Sequence, residues 1–272
     1  MELLDYDFMR RALIAAAIVG VTAPLVGVFL VQRRLALLGD GMGHVALTGV
    51  GLAFLTGLAP IPMALIVAAL GAIVLELSRY RSRTAGDVAL ALIFYGGIAG
   101  GVFLTSLASG KASTALNQYL FGSLSTVSTE DLYALAVAAA GIVAILLIFG
   151  RQLFTLSLDS DLAHTQGLRV VRLSMLLTVL AAVAVVVGMR TVGLLLVSAI
   201  MIVPIAAAQQ VTRSFSSTTV IGLVIGVVSA ILGLVAAFYL DVPPGPTIVF
   251  LALGAFIVLA TGGWLARGRH AG

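Results

Sequence analysis

The chain has 272 residues, 61% apolar and 10% charged, with a mean hydropathy of +1.19. An ordinary soluble domain is about 45 to 50% apolar and about 25% charged, so a water-soluble globule is excluded. The 15 Lys and Arg outweigh the 11 Asp and Glu by four, but they are scattered through loops and give no support for nucleic-acid binding. Cysteine is absent, which removes disulfides, thiolate ligands and thiol nucleophiles together.

The apolar stretches are continuous runs and not alternating ten-residue segments, so spanning helices and not a barrel are expected. Arg10 and Arg11 precede an apolar run from Ala12 to Val31 with no small-residue cleavage pattern, which reads as a retained first span. Charge, Pro and Gly then divide the chain into helices near 10–32, 36–57, 61–79, 87–107, 131–150, 171–188, 193–210, 215–240 and 247–266. The break between Gly188 and Gly193 is short, so eight or nine spans are expected in one transmembrane domain covering 1–272. Counting nine, eleven cations from Arg33 to Arg269 fall on one side, against Arg10, Arg11, Lys111 and Arg190 on the other. The positive-inside rule then predicts a multi-pass protein with a cytoplasmic C-terminus.

Two connections are long. Residues 109–131 hold Asn117, Tyr119 and Phe121 and are expected on the external side as an interfacial cap. Residues 151–170 hold Asp159, Asp161 and His164 ahead of Gly167 and are expected inside. Small residues four apart, as in Gly39 and Gly43, Gly97 and Gly101, Gly222 and Gly226, Ser229 and Gly233, predict close helix packing.

The segment from Leu38 to Thr48 concentrates the chemistry. Asp40 and His44 are four apart and share a helix face, and Thr48 continues that face as a candidate lining residue. Three readings of the pair are open at this point: a helix cap with a packed imidazole, a transient metal site, and a proton relay. Carboxylate with imidazole suits Zn²⁺, Mn²⁺ or Fe²⁺, and two ligands leave the site incomplete, as a transported ion requires. Glu76 is expected to pair with Arg79 near a membrane end, and Asp87 to cap the following helix. Ser198, Met201, Gln209 and Gln210 are weaker candidates for a channel lining. Enzyme signatures fail: Gly110-Lys111 lacks both the earlier glycine and the following Ser or Thr of a phosphate-binding loop. No zinc-protease pattern or nucleophile elbow is present, so no catalytic residue, permanently bound cofactor or ATP hydrolysis by this chain is expected.

Several motifs recur in a familiar order: Arg33-Arg34, Gly39-Asp40-x-x-x-His44-x-Ala46-x-x-Gly49, Tyr119-Leu-Phe-Gly-Ser123 and Thr129-Glu-Asp-Leu132. They are followed by Leu158-Asp-x-x-Leu-Ala163 with Gly167, Arg190-x-Val-Gly-x-Leu-Leu-Val-Ser-Ala199, Ile202-x-Pro-x-Ala206 and Asp241-x-Pro-Pro-Gly-Pro-Thr-Ile248. In this order, over nearly the whole chain, they resemble the permease subunits of the zinc/manganese-type ABC importers. The resemblance implies an all-helical ABC importer permease fold in a prokaryotic inner membrane. It implies a homodimer that takes a divalent metal, zinc first with manganese or iron as alternatives, from an extracytoplasmic binding protein. A separate cytoplasmic ATPase would use the ATP, and no nucleic acid is involved. Asp40 and His44 would then line the metal path, and Leu158, Asp159, Asp161, Leu162, Ala163 and Gly167 would couple to the ATPase. Where the family often has Ala-Leu-Ser-His-Ala, this chain has Gly41-Met42-Gly43-His44-Val45. The other readings are a proton-coupled secondary metal transporter without an ATPase and an ABC permease for a metal chelate.

Overall fold

The computed structural model describes residues 6–81, 86–108, 118–122 and 127–268, and these form helices joined by turns with no strand among them. The helices are α1 (Asp7–Gln32), α2 (Leu38–Thr56), α3 (Pro60–Arg81), α4 (Gly86–Leu107) and the single turn α5 (118–121). They continue as α6 (Thr129–Leu158), α7 (Ser160–Thr165), α8 (Val170–Val192), α9 (Leu194–Gln209), α10 (Phe215–Leu240) and α11 (Pro244–Gly268). Eight of them are long and apolar enough to cross a membrane, and α9 is shorter at 16 residues.

Contacts at the helix ends fall into two sets. At one end Arg33, closing α1, meets Ser174 near the start of α8, and Thr178 of α8 meets Glu76 near the end of α3. Phe29 and Phe154, late in α1 and α6, pack on Phe215 at the start of α10. At the opposite end Arg190 of α8 binds Asp131 at the start of α6, and Tyr6 packs on Phe238 late in α10. Gly122 packs against Val192 and Gly193, and Gly245 at the start of α11 lies close to the Phe121 carbonyl. The short α9 therefore also runs from the Arg190 end, where Gly193 turns the chain with φ 90°, to the Arg33 end, where Thr212 meets Thr218. Among the described residues nine helices therefore run from one end of the bundle to the other. An α9 of 16 residues reaches only about 24 Å, and its burial against α1, α10 and α11 frees it from matching the full hydrocarbon thickness.

Burial sorts the helices. The most apolar windows of α1 and α2 are each 67% buried, against 17% for α6 and 11% for α11, so α1, α2, α8 and α9 form the centre. The small-residue pairs act as expected. Gly226 lies against Gly20 and Pro24 of α1, Gly222 against Ile205, Gly233 against Ile248, and Gly97 against the His44 backbone.

Several boundaries differ from the sequence expectation, among them the end of α8, at Val192 and not 188. Helix α6 continues through 151–158 because Leu153 and Leu156, 0% and 2% exposed, keep the helical stripe facing the core. The connection expected to span 151–170 therefore shrinks to α7 and its flanks. Helix α2 begins at Leu38 and not 36, after Arg34 turns the chain with φ 58°. The cap expected over 109–131 is described only at 118–122 and from 127, and Asn117 lies outside the described residues. Asp87 falls within the first turn of α4, and its side chain likewise lies outside them.

Candidate functional site

The head of α2 starts inside the bundle. A Cβ on Gly39 would lie 3.9 Å from Val185 and 3.1 Å from the Met201 sulfur, and one on Gly43 would lie 3.1 Å from Val185 and overlap Leu194. Val185 is about 22 Å along α8 from Val170, so Asp40 and His44 are at depth although they occupy the first two turns of their helix. Glycine at 39 and 43 is what lets α2 approach α8 and α9 this closely. On the adjoining face Val45 packs on Gly71 of α3, and Gly49 packs on Ala64.

Asp40 and His44 meet as the four-residue spacing predicts. His44 Nε2 lies 3.8 Å from Asp40 Oδ1, with the two side chains 11% and 27% exposed. Asp40 makes no capping bond to the head of α2, whose N-cap, Leu37, also lacks a side-chain cap. The imidazole stands edge-on to Phe94 of α4, centroids 4.8 Å apart, and its Nδ1 is buried without a hydrogen-bond partner. A buried ring nitrogen left unpaired costs about 1–3 kcal/mol, a strain that ligation of a cation or a proton exchange would relieve. Among the described residues no group of three or more His, Cys, Asp or Glu gathers here. Thr48, one turn further, donates to the Gly97 carbonyl at 2.9 Å and so binds α2 to α4.

The segment from Leu158 to Gly167 is an ordered helix–turn unit. Asp159 ends α6 and caps α7, its Oδ1 accepting from the Asp161 and Leu162 N–H at 2.8 and 3.3 Å. Gly167, with φ 77°, closes α7 while the Leu168 N–H donates to the Ala163 carbonyl at 3.0 Å. Ala163 is fully buried and anchors the unit, whereas Leu158 at the end of α6 and Leu162 of α7 are 60% and 46% exposed. An outward apolar pair flanked by exposed Asp159 and Asp161 is a surface suited to a protein partner.

A second ionic locus was not legible in the sequence. Arg190 Nε lies 2.8 Å from Asp131 Oδ1, and Asp131 also forms a reciprocal capping box with Ser128. Both residues sit in recognised motifs, yet 59 positions separate them. Tyr119 of α5 lies close by, and burial pushes its hydroxyl above the usual tyrosine range against the opposing pull of Arg190.

Comparison with known proteins agrees with this architecture. The model of the ABC 3 transport family matches residues 5–262. The manganese transport system membrane protein MntC of Listeria monocytogenes is 30% identical over 256 residues, covering 94% of this chain and 91% of that one. The manganese import system permease protein ScaB of Streptococcus gordonii is 31% identical over 254 residues, covering 93% and 91%. Among solved structures, PsaBC from Streptococcus pneumoniae in complex with Fab superposes with a TM-score of 0.85 at 32% identity, covering 94% of this chain and 92% of that one. A family match along nearly the whole length, with relatives of at least 30% identity over more than nine-tenths of the chain, places this protein in the ABC 3 transport family.

Proposed function

We propose that this chain is the membrane subunit of an ATP-driven importer of a divalent transition metal, with Asp40 and His44 forming part of a transient site along the path. The observation that carries this reading is the pair itself, a half-buried carboxylate 3.8 Å from a buried imidazole whose other nitrogen is unpaired deep in the bundle. Both groups ligate Mn²⁺, Zn²⁺ and Fe²⁺. The relatives named for manganese argue for Mn²⁺ ahead of the zinc that the sequence resemblance put first.

Two donors bind an ion incompletely, and the rest of its shell comes from water or from a second copy of the chain. A homodimer suits the outward apolar stripe of α4, where Leu92, Tyr95, Val102 and Phe103 are all more than half exposed on the helix whose Phe94 packs on His44. Helix α7 and its flanks, with Leu158, Asp159, Asp161, Leu162, Ala163 and Gly167, seat on a cytoplasmic ATPase. An extracytoplasmic binding protein delivers the ion at the opposite end. The Arg33 end, richer in arginine, is the cytoplasmic one by the positive-inside rule, with the C-terminus on that side.

The test measures cell-associated Mn, Fe, Co, Ni, Cu and Zn in a metal-starved host that expresses this chain with its ATPase and binding protein. One metal accumulates, and the gain vanishes with His44→Ala, which still assembles, and with an ATPase that cannot hydrolyse ATP. Accumulation that survives loss of the ATPase refutes the ABC reading in favour of a secondary transporter. Accumulation that survives His44→Ala refutes the site.

A further inference from the structure

A buried polar cluster at the Arg33 end takes no part in the site described above. Arg33 Nη1 donates to Ser174 Oγ at 2.6 Å, and Ser174 is 1% exposed. Glu76, 6% exposed, accepts from Arg79 at 3.2 Å. Its Oε2 also lies 3.3 Å from the hydroxyl of Thr178, which is shared with the Ser174 carbonyl at 3.0 Å. The groups come from three places. Arg33 closes α1 just before the turn into α2, Glu76 and Arg79 end α3, and Ser174 and Thr178 lie one turn apart on α8.

The position of the cluster links two functional segments. On one side, Arg33, Glu76, Arg79 and Ser174 line a cavity of about 760 Å³ together with Asp161 and His164 of α7. Helix α8 itself starts directly after the turn that closes α7. On the other side, Val45 of α2 packs on Gly71 of the antiparallel α3. On α8, Thr178, which meets Glu76, lies seven residues before Val185, which meets Gly39 and Gly43 at the head of α2. The cluster therefore lies about two turns along α8 from the contacts that hold the head of α2, and it faces the same cavity as Asp161 and His164 of α7. Mere stability does not call for such groups, because a buried ionic cluster is often matched or bettered by apolar residues of the same volume.

We propose that Arg33, Glu76 and Ser174 form a polar clamp that carries the movement of the α7 segment through α8 to the head of α2, so that ATP-driven motion changes access to Asp40 and His44. They are positioning residues and do not touch the ion. This inference rests on the transport reading above, since a chain without an ATPase has no such movement to carry.

The experiment uses the complete transporter, with its ATPase and binding protein, in proteoliposomes. It compares the parent with Glu76→Gln, Ser174→Ala and Arg33→Lys. Melting temperature, assembly, ATP hydrolysis and Mn²⁺ uptake are read for each. Glu76→Gln and Ser174→Ala should assemble and hydrolyse ATP while uptake per ATP falls at least tenfold, with Arg33→Lys recovering part of the ratio because it keeps the charge. Because each variant keeps nearly the original volume, a purely structural role predicts loss of assembled protein at an unchanged uptake-to-ATP ratio, and that result overturns the clamp. A working parent whose variants all keep the parental ratio also overturns it and leaves the transport reading standing. A parent that takes up no metal under ATP refutes the transport reading, and the clamp falls with it.

Discussion

Gly97→Ala tests whether the close approach of α4 to α2 holds the candidate site in register. A Cβ at Gly97 would lie 2.7 Å from the carbonyl carbon of His44 and 2.7 Å from the Val45 nitrogen. Both atoms are backbone and cannot rotate aside. Ordinary contact begins at 3.4 Å, so the two helices must separate by about 0.7 Å just behind His44. The same separation strains the 2.9 Å bond from Thr48 to the Gly97 carbonyl. Overpacking of this kind costs about 1–3 kcal/mol, offset by the roughly 0.5–1 kcal/mol that alanine gains over glycine inside a helix. A net loss of up to about 2.5 kcal/mol is expected. Gly96 provides the control, since a Cβ there meets nothing within 4 Å, and Gly96→Ala should be neutral or stabilising by up to about 1 kcal/mol. Thermal unfolding of the purified protein and metal uptake in cells are measured side by side. Gly97→Ala should lower both, because a site must be held to about 0.5 Å to keep its donors matched, whereas Gly96→Ala should keep uptake. Equal behaviour of the two variants would refute the role given to this contact.

Arg190→Ala leaves the 9% exposed Asp131 without its guanidinium, and because Arg190 is half-exposed the cost is about 1–3 kcal/mol and not the full value of a deeply buried pair. A double-mutant cycle with Asp131→Asn should return a coupling above about 0.5 kcal/mol, and additive single effects would count against the pair. Gly193→Ala places a side chain at φ 90° and drives its Cβ into the Phe121 backbone. A loss of at least about 2 kcal/mol in unfolding experiments is expected, and a melting temperature equal to the parent's would contradict the geometry. Ser198→Ala removes a buried hydroxyl with no hydrogen-bond partner, so it should raise stability by about 1 kcal/mol, and a marked loss would show that Ser198 is engaged after all.

Hydropathy alone carries the sequence to an all-helical bundle of eight or nine spans, because apolar runs in lipid leave the backbone few alternatives. The Asp40–His44 contact was legible for a similar reason, since four-residue spacing is a local property of a helix. What escaped depends on pairings distant in sequence. Arg33 and Ser174 are 141 positions apart, and Asp131 and Arg190 are 59 apart, so periodicity within a window cannot join them. Glu76 was expected at an interface with Arg79, and that pair forms, but the buried side reaches on to Thr178 of another helix. The length of α6 was underestimated because Arg151 and Gln152, both exposed, were read as a boundary, whereas the helix simply turns them outward and keeps Leu153 and Leu156 inside.

The helix that carries the donors is a poor helix by composition. Gly39, Gly41 and Gly43 fall in its first two turns, and each costs about 0.5–1 kcal/mol relative to alanine. Its N-cap offers no side-chain bond, and it follows a non-glycine residue held at positive φ. Local preference thus contributes little to ordering the head of α2. Order there comes from Val185 of α8, Leu194 and Met201 of α9 and Leu90 of α4, all in contact with those glycines. A segment stabilised by its neighbours more than by itself follows when the neighbours shift. An α2 rich in alanine and leucine would resist the same displacement. On the proposed function, the glycines that let the helix sit deep among α4, α8 and α9 would also leave Asp40 and His44 responsive to movement of α8, and replacing Gly41 by alanine should then slow transport more than it alters ion binding. A Cβ there meets only Leu90 Cδ1, at 3.1 Å, the far end of a flexible side chain. Parallel measurement of Mn²⁺ affinity and uptake rate in Gly41→Ala decides the point, and a loss of affinity matching the loss of rate would refute it.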